Sequence, residues 1–460
     1  MGTETKKVII VGAGPAGLFA ANELAGKCEV VLIDKGNLVS KRICPMSTTK
    51  KCQNCPTCNM MCGVGGSGTF SDGKLHYSPV LSHEKMLDIY DMGEYEKRMI
   101  EVDRIFTESG VDAEYYPKDE KRVQSLVDRC QKNSVHLFVR KMRHVGSDRL
   151  PQVIANIETR IIENGVKIIP NLQVEDISVK NGRVRGVVCK DQKIEGDYVI
   201  LAPGRYNAHW MQDIAKSHGL EYTYEKVEVG VRVEFPEGVM RKYSEEMYEA
   251  VFLMRTPTYD DVVRTFCPCP RGKVAIENYE GFVCVNGHSN SNHDSNNSNF
   301  AFVTEIKLTE PLENTILYAK SIAKLANTIG GGKPILQRLA DLRCGRRSTW
   351  KRIGRSYVAP SLKDVVPGDI SMAFPHRIVT NLIEGLELLD KVMPGINSGN
   401  TLLYAPEIKL RSSKIKTTRD LETQIPNLYV AGDGAGVSGN IVGAAATGII
   451  AARGILSKAK

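Results

Sequence analysis

Cysteines are the first residues in this chain that could do chemistry. The 460-residue sequence holds twelve, and five of them fall between Cys44 and Cys62. Cys52, Cys55, Cys58 and Cys62 follow the spacing C-x2-C-x2-C-x3-C, just downstream of Cys44-Pro45. Four thiolates on one loop suit a [4Fe–4S] cluster, although Gly63 stands where ferredoxins carry proline. Tetrahedral zinc uses similar spacings, and a set of free thiols on a loop is the bland alternative. Cys267-Pro268-Cys269-Pro270 is a second candidate. Either thiol would act on a substrate or move a proton if its pKa were lowered; otherwise both are small buried hydrophobes at a sheet edge. His288 is a lone candidate acid or base, and Ser71-Asp72-Gly73-Lys74 is either a substrate contact or a turn.

These side chains need a frame, and the N-terminus supplies its clearest part. Val8-Ile9-Ile10-Val11 is a continuous apolar run, as expected of a strand buried on both faces. Gly12-Ala13-Gly14-Pro15-Ala16-Gly17 follows directly, Leu18–Ala25 reads as a helix, and Glu29–Ile33 is a second buried strand ending in Asp34-Lys35. In such a βαβ unit Gly12 permits the tight turn, Gly14 lets backbone approach a pyrophosphate, and Gly17 lets helix pack on strand. The helix start, with Pro15 and Ala16, points N–H groups and partial positive charge at the phosphates. Asp34 is placed to accept ribose hydroxyls and to disfavour a 2′-phosphate.

Further along, 82–146 is charged and mostly helical in pattern, and Leu150–Asn164 is an amphipathic helix closed by Gly165. Strand patterns at 166–169, 174–179 and 183–189, the last two joined by the Asn181-Gly182 turn, predict a β-meander. Tyr198–Ala202 is another buried strand, running into Pro203-Gly204. Val227–Glu234 alternates like a sheet strand, His288–Asn299 reads as an Asn/Ser-rich loop, and Thr315–Gly330 and Leu382–Leu389 read as helices. The C-terminus returns to the opening pattern: Leu428–Ala431 is a buried strand before Gly432-Asp433-Gly434, and Gly443–Gly454 is a small-residue helix.

Thr423–Asp433 resembles the late flavin motif of glutathione-reductase-like flavoproteins, and Val199–Gly204 resembles their middle motif. With the first glycine loop, these place three motifs in that superfamily's order. The resemblance implies FAD as cofactor, with Asp433 on the ribityl chain or pyrophosphate and the helix opened by Gly443, Ala444 and Ala445 facing the flavin ring. Gly66, Ser67, Val174, Ala202, Gly204 and Gly432 complete the expected cofactor set. Gly65–Leu75, Thr265–Pro270, Val285–Ser289, Tyr404–Lys409 and Gly432–Gly434 together resemble the uncharacterised FAD-dependent dehydrogenase family over nearly the whole chain. One departure is visible: that family's pattern has methionine between the two cysteines and two glycines after the proline, where this chain has Pro268 and Pro270-Arg271-Gly272.

The expectation is therefore an α/β protein. Its Rossmann-like FAD-binding domain, of the glutathione-reductase type, is built from 1–221 and 391–460, with 82–146 a helical excursion. An inserted α+β substrate domain, 222–390, covers the flavin. The expected reaction moves hydride or electrons through flavin N5 to or from a small organic substrate. No second βαβ nucleotide unit is visible, so the electron donor is NAD(P)H docking on the flavin, a redox protein, or the substrate. Alternatives are an iron–sulfur electron-transfer protein, a flavin-dependent RNA-modifying enzyme, and a scaffold that has lost its flavin. Net charge is +8, mild for this length, and nucleic acid is not expected as a partner. The RNA reading would need a clustered basic face, and only Arg343, Arg346, Arg347, Lys351, Arg352 and Arg355 offer one. No run of 18 uninterrupted apolar residues predicts a membrane span, and nothing resembling a secretory signal precedes the first strand, so a reducing cytoplasm is expected.

Overall fold

The structure, a computed structural model, describes residues 5–49, 52–53, 55–79, 86–279, 281–290, 295–310, 314–409 and 413–459. Five parallel strands form its first sheet, in the order Leu428–Val430, Tyr198–Leu201, Lys7–Val11, Glu29–Ile33, Lys167–Ile169. The continuous apolar runs become strands buried on both faces, with Val8, Ile9 and Ile10 fully enclosed. Chain end and chain start thus share one sheet, as the sequence predicts. The helix Pro15–Leu24 packs against Leu150–Glu163 and against Ile441–Lys458. Small residues set that last approach: a Cβ on Gly448 would lie 2.0 Å from the Ala16 carbonyl oxygen. By length and composition alone Ile441–Lys458 is apolar enough to cross a bilayer, but most of it is buried in this core. The expected meander is present as Val174–Lys180, Arg183–Cys189 and Gln192–Glu195.

The second sheet has eight strands, centred on Val227–Pro236 between Leu402–Lys409 and Asn297–Ile306. The helices Thr315–Ile329 and His376–Asp390 pack on it and share a separate apolar core. Two contributions depart from the sequence reading. Leu402–Lys409, expected with the C-terminal part of the FAD domain, is an interior strand here. His136–Phe138, from the expected helical excursion, forms the far edge of the sheet. A three-residue strand carries too little alternation to be seen against its helical neighbours. The Asn/Ser-rich stretch ends earlier than expected, because Asn297 already pairs with Pro236. A hairpin, Lys273–Tyr279 with Phe282–His288, packs on this sheet. Between the two sheets lies a small three-stranded one, in which Lys74–His76 pairs with Met142–His144.

Candidate functional site

The first glycine loop is built as a phosphate cradle. Gly12 has φ +99°, and a Cβ there would lie 2.2 Å from the Ala202 carbonyl oxygen. Only glycine combines that conformation with that approach. Asp34, at the end of the second strand, accepts from Ala13 N and Gly36 N, both at 2.8 Å, which fixes its carboxylate beside the loop. The second glycine loop lies directly across the first: Gly65 N donates to Ala13 O at 2.8 Å, and a Cβ on Gly66 would lie 3.2 Å from the Gly14 Cα. Arg42 holds this second loop from below. Its guanidinium donates to the carbonyls of Asn59, Met60, Val64 and Gly66 at 2.7–3.0 Å, and burial pulls its pKa down to about 10.

The C-terminal motif meets the same wall. Gly432 has φ +75°, and Gly204, two residues after the middle strand's Ala202, has φ +69°. Asp433 receives Arg205 Nη2 at 2.8 Å and the Ser438 hydroxyl at 2.5 Å. Burial alone would lower the Arg205 pKa, but the Asp433 carboxylate beside it raises it. Asn440 caps the helix Ile441–Lys458 through Gly443 N at 2.9 Å. Four glycine turns, two helix N-termini and two anchored carboxylates on one wall fit an extended dinucleotide.

These elements line a single cavity of about 1080 Å³ that runs from Asp34 into the space between the two large sheets. From the expected cofactor set it takes Gly12, Gly14, Pro15, Ala16, Asp34, Lys35, Gly66, Ser67, Val174, Ala202, Gly204, Gly432, Asp433 and Ala444. Gly17, Gly443 and Ala445 stand behind the wall: a Cβ on Gly17 would meet the Gly12 carbonyl at 1.9 Å, and Ala445 is wholly buried. Of the expected catalytic residues, Cys267 and His288 reach the cavity, and Cys269 lies beneath. His288 Nε2 is 3.4 Å from the Ser147 hydroxyl.

Cys267 occupies a bulge in the strand Val262–Cys269, with φ +42°, a left-handed conformation that is strained for any side chain with a Cβ. Burial pushes its thiol pKa up to about 12, despite nearby Lys74. Burial likewise raises Cys269, although Arg232 Nη2 stands 3.2 Å from its sulfur. Both thiols are therefore held protonated, the opposite of the lowered pKa that nucleophilic catalysis would need.

The site also holds a buried ionic group that the sequence did not single out. Lys74 Nζ lies 2.7 Å from Asp72, 3.5 Å from Glu249 and 2.8 Å from the Pro268 carbonyl oxygen. His76 Nε2 lies 2.9 Å from Glu249 Oε2, and Arg140 approaches the other oxygen at 3.9 Å. All five side chains line the cavity; Lys74, His76, Arg140 and Glu249 are buried and Asp72 is largely so. Burial alone would raise the Glu249 pKa, but His76, Lys74 and Arg140 bring it well below the usual carboxylate range. His76 Nδ1 is buried without a hydrogen-bond partner among the described residues. The one sequence signal was Asp72-Gly73-Lys74, whose turn brings an acid and a base into one strand entry.

The cysteine loop behaves differently from its spacing. Among the described residues no group of three or more His, Cys, Asp or Glu side chains is arranged to hold a metal ion, so Cys52, Cys55, Cys58 and Cys62 are not gathered into a centre. Cys62 is buried, and its thiol pKa is pushed up to about 12 by that burial. Its backbone packs against Gly36, beside Asp34, so the loop is a wall of the cavity.

Two family models match this chain: "FAD-dependent protein, C-terminal domain-like" over residues 226–410, and "Glucose inhibited division protein A" over residues 363–460. An uncharacterized protein of Clostridium beijerinckii is 26% identical over 492 residues, spanning 99% of this chain and 82% of that protein. Among solved structures, glycine oxidase from Bacillus cereus is similar at a TM-score of 0.42 and 12% identity, covering 99% of this chain and 96% of the other. L-proline dehydrogenase from P. horikoshii is similar at the same TM-score and identity, covering 99% and 94%. Fold, cradle and family models define the class: the chain is an FAD-dependent oxidoreductase with a Rossmann-like FAD-binding domain joined to an α+β domain. It fits the uncharacterised FAD-dependent dehydrogenases that its motifs resemble.

Proposed function

We propose that this oxidoreductase acts on a small organic molecule held in the cavity between the two sheets. One observation carries the reading: the cavity that begins at Asp34 and the glycine loops continues without a break past His76 on the small sheet and Arg140 beside it to Glu249 and Cys267 on the other domain. Gly12, Gly14, Gly66 and the helix starts at Pro15 and Ile441 would hold the cofactor's pyrophosphate and ring, and Asp34 its adenosine ribose. Bound FAD supplies the two-electron donor or acceptor. The chain supplies the rest. His76, oriented by Glu249 at 2.9 Å with Nδ1 unpartnered, is the side chain placed to take or give the substrate proton. Lys74 and Arg140 keep Glu249 ionised, and the protonated Cys267 is a second proton holder rather than a nucleophile. Cys44, Met46, Met60, Met61 and Cys62 of the cysteine loop line one side of the cavity.

Electrons arrive from the substrate itself, from NAD(P)H docking at the cavity, or from a redox protein. The free thiols of all twelve cysteines support a reducing, cytoplasmic setting. An absorption spectrum of the purified protein tests the cofactor, through flavin bands near about 370 and 450 nm. Anaerobic mixing with NADH, NADPH and a panel of small acids, amines and alcohols then tests the donor by bleaching of those bands. A protein that stays colourless after incubation with FAD would remove this reading and favour the scaffold.

A further inference from the structure

The segment 338–363 carries eight cations, Arg338, Arg343, Arg346, Arg347, Lys351, Arg352, Arg355 and Lys363, against the single carboxylate of Asp341. The structure shows how that imbalance is arranged. Asp341 is fully buried and lies 2.9 Å from Arg346, 3.6 Å from Arg338 and 3.9 Å from Arg352, so one buried acid anchors three guanidinium groups. Arg338 and Arg352 also donate to backbone, to the Arg352 and Arg347 carbonyls at 2.7 and 2.8 Å, which knits 338–352 into one compact loop. Arg347, Lys351 and Arg355 are left over. They are exposed, and none has an acidic partner among the described residues. Two exposed aromatic rings stand among and beside them, Trp350 at 53% and Tyr357 at 92% exposure. Ile353 and Val358 seat this loop on the hairpin that lines the cavity, and Lys363 at its end is itself a lining residue.

A surface with unpaired cations at short intervals and bare rings among them is complementary to a chain of phosphodiesters carrying flat bases. Cations neutralise successive phosphates, and rings stack with bases whatever their sequence. An ordinary solvated face would show neither the missing acids nor the exposed rings. We propose that 343–357 is a binding surface for single-stranded nucleic acid, beside the mouth of the FAD cavity. The surface is separate from the cofactor cradle, so this inference stands or falls independently of the flavin reading.

The test uses the FAD-loaded full-length protein and fluorescein-labelled 20-nucleotide single strands of RNA and of DNA, with a duplex of the same sequence, in fluorescence anisotropy at several salt concentrations. Binding is expected, stronger for single strands, with log affinity falling linearly in log salt by about 0.7 per phosphate neutralised. The R347A/K351A/R355A variant should bind at least 10-fold more weakly and lose about 2 from that slope. W350A should weaken binding roughly 10-fold with the slope unchanged, because stacking releases no counterions. A difference between the RNA and DNA arms identifies the natural partner. Absence of binding at low salt, or variants that bind as the parent does while keeping their flavin absorbance, would overturn the proposal. So would equal affinity for vesicles of an anionic phospholipid, since cations flanked by exposed rings would then be serving an anionic membrane surface rather than a base-bearing strand.

Discussion

Glu249 Oε2 stands 2.9 Å from His76 Nε2 while its other oxygen faces Lys74 at 3.5 Å, and all three side chains are enclosed at the boundary between the two domains. His76 and Lys74 come from the small strand beneath the glycine loops, and Glu249 from the segment that enters the strand Val251–Arg255 of the second sheet, so one carboxylate ties the domains together at the cavity. Removing a partner from such a group leaves uncompensated buried charge, which costs about 3–5 kcal/mol. Glu249→Gln should therefore lower the melting temperature markedly at neutral pH. The sign with pH follows from the lowered pKa. A carboxylate held below its unfolded value of about 4.3 contributes stability above that value and loses it as pH falls through the folded pKa. The gap between wild type and variant, measured by thermal unfolding from pH 7 to pH 3, should be full near neutrality and shrink below about pH 4. A constant gap would mean that Glu249 is not ionised in the folded protein.

Arg42 offers a different lever. Its guanidinium satisfies four carbonyls of the turn that carries Gly63–Gly66 across the first glycine loop. Charge-assisted bonds of this kind contribute about 1.5–3 kcal/mol each, and carbonyls left buried without a donor cost more. Arg42→Ala should lose most bound FAD, read as the ratio of absorbance near about 450 nm to that of protein. Arg42→Lys should recover only part, because a point charge cannot serve four carbonyls in a fork. Full FAD retention in Arg42→Ala would show that the second glycine loop holds its shape unaided.

The first sheet was legible because four of its five strands are buried on both faces and are written as apolar runs, two of them leading into glycine at Val8–Gly12 and Leu428–Gly432; the fifth, Lys167–Ile169, is only partly buried. The ionic group at the cavity was not. Lys74 and His76 sit on one short strand with Asp72 in the turn before it, but Arg140 and Glu249 reach them from segments far along the chain, and each alone reads as an ordinary surface charge. The cysteine run shows the converse. Its spacing suggested a metal, whereas the fold spends Cys62 on packing beneath Asp34 and does not gather the others. Spacing constrains what a loop can reach, and the surrounding elements decide where it goes.

Asp34 carries a prediction that separates shape from charge. Both of its oxygens already hold backbone N–H groups, of Ala13 and Gly36, so the side chain shapes the loop as well as facing the cavity. Asp34→Asn keeps one acceptor and should fold normally, yet bind FAD about 10- to 100-fold more weakly, the worth of a hydrogen bond to a charged group. Fluorescence titration of the apoprotein with FAD measures this, with the melting temperature as the control. An unchanged affinity would move the ribose contact to another residue, with Lys35 the nearest cavity-lining neighbour.

Cys267 allows a test of proton holding that needs no substrate. Its thiol lines the cavity, yet burial sets its pKa at about 12. At pH 8 a thiol with that pKa is about one part in ten thousand thiolate, against roughly a quarter for an ordinary cysteine at about 8.5. Alkylation proceeds through the thiolate. Cys344 is exposed on the surface and serves as the internal standard. With iodoacetamide at pH 8, peptide mass spectrometry should find Cys344 modified some 1000-fold faster than Cys267, in protein with and without FAD. Cys267 should gain rate with pH well beyond the point where an ordinary thiol has levelled off. If Cys267 instead matches Cys344 at pH 8, the cavity stabilises a thiolate. Lys74 would then outweigh burial, and the nucleophilic role that its Cys-Pro-Cys setting first suggested would replace that of proton holder.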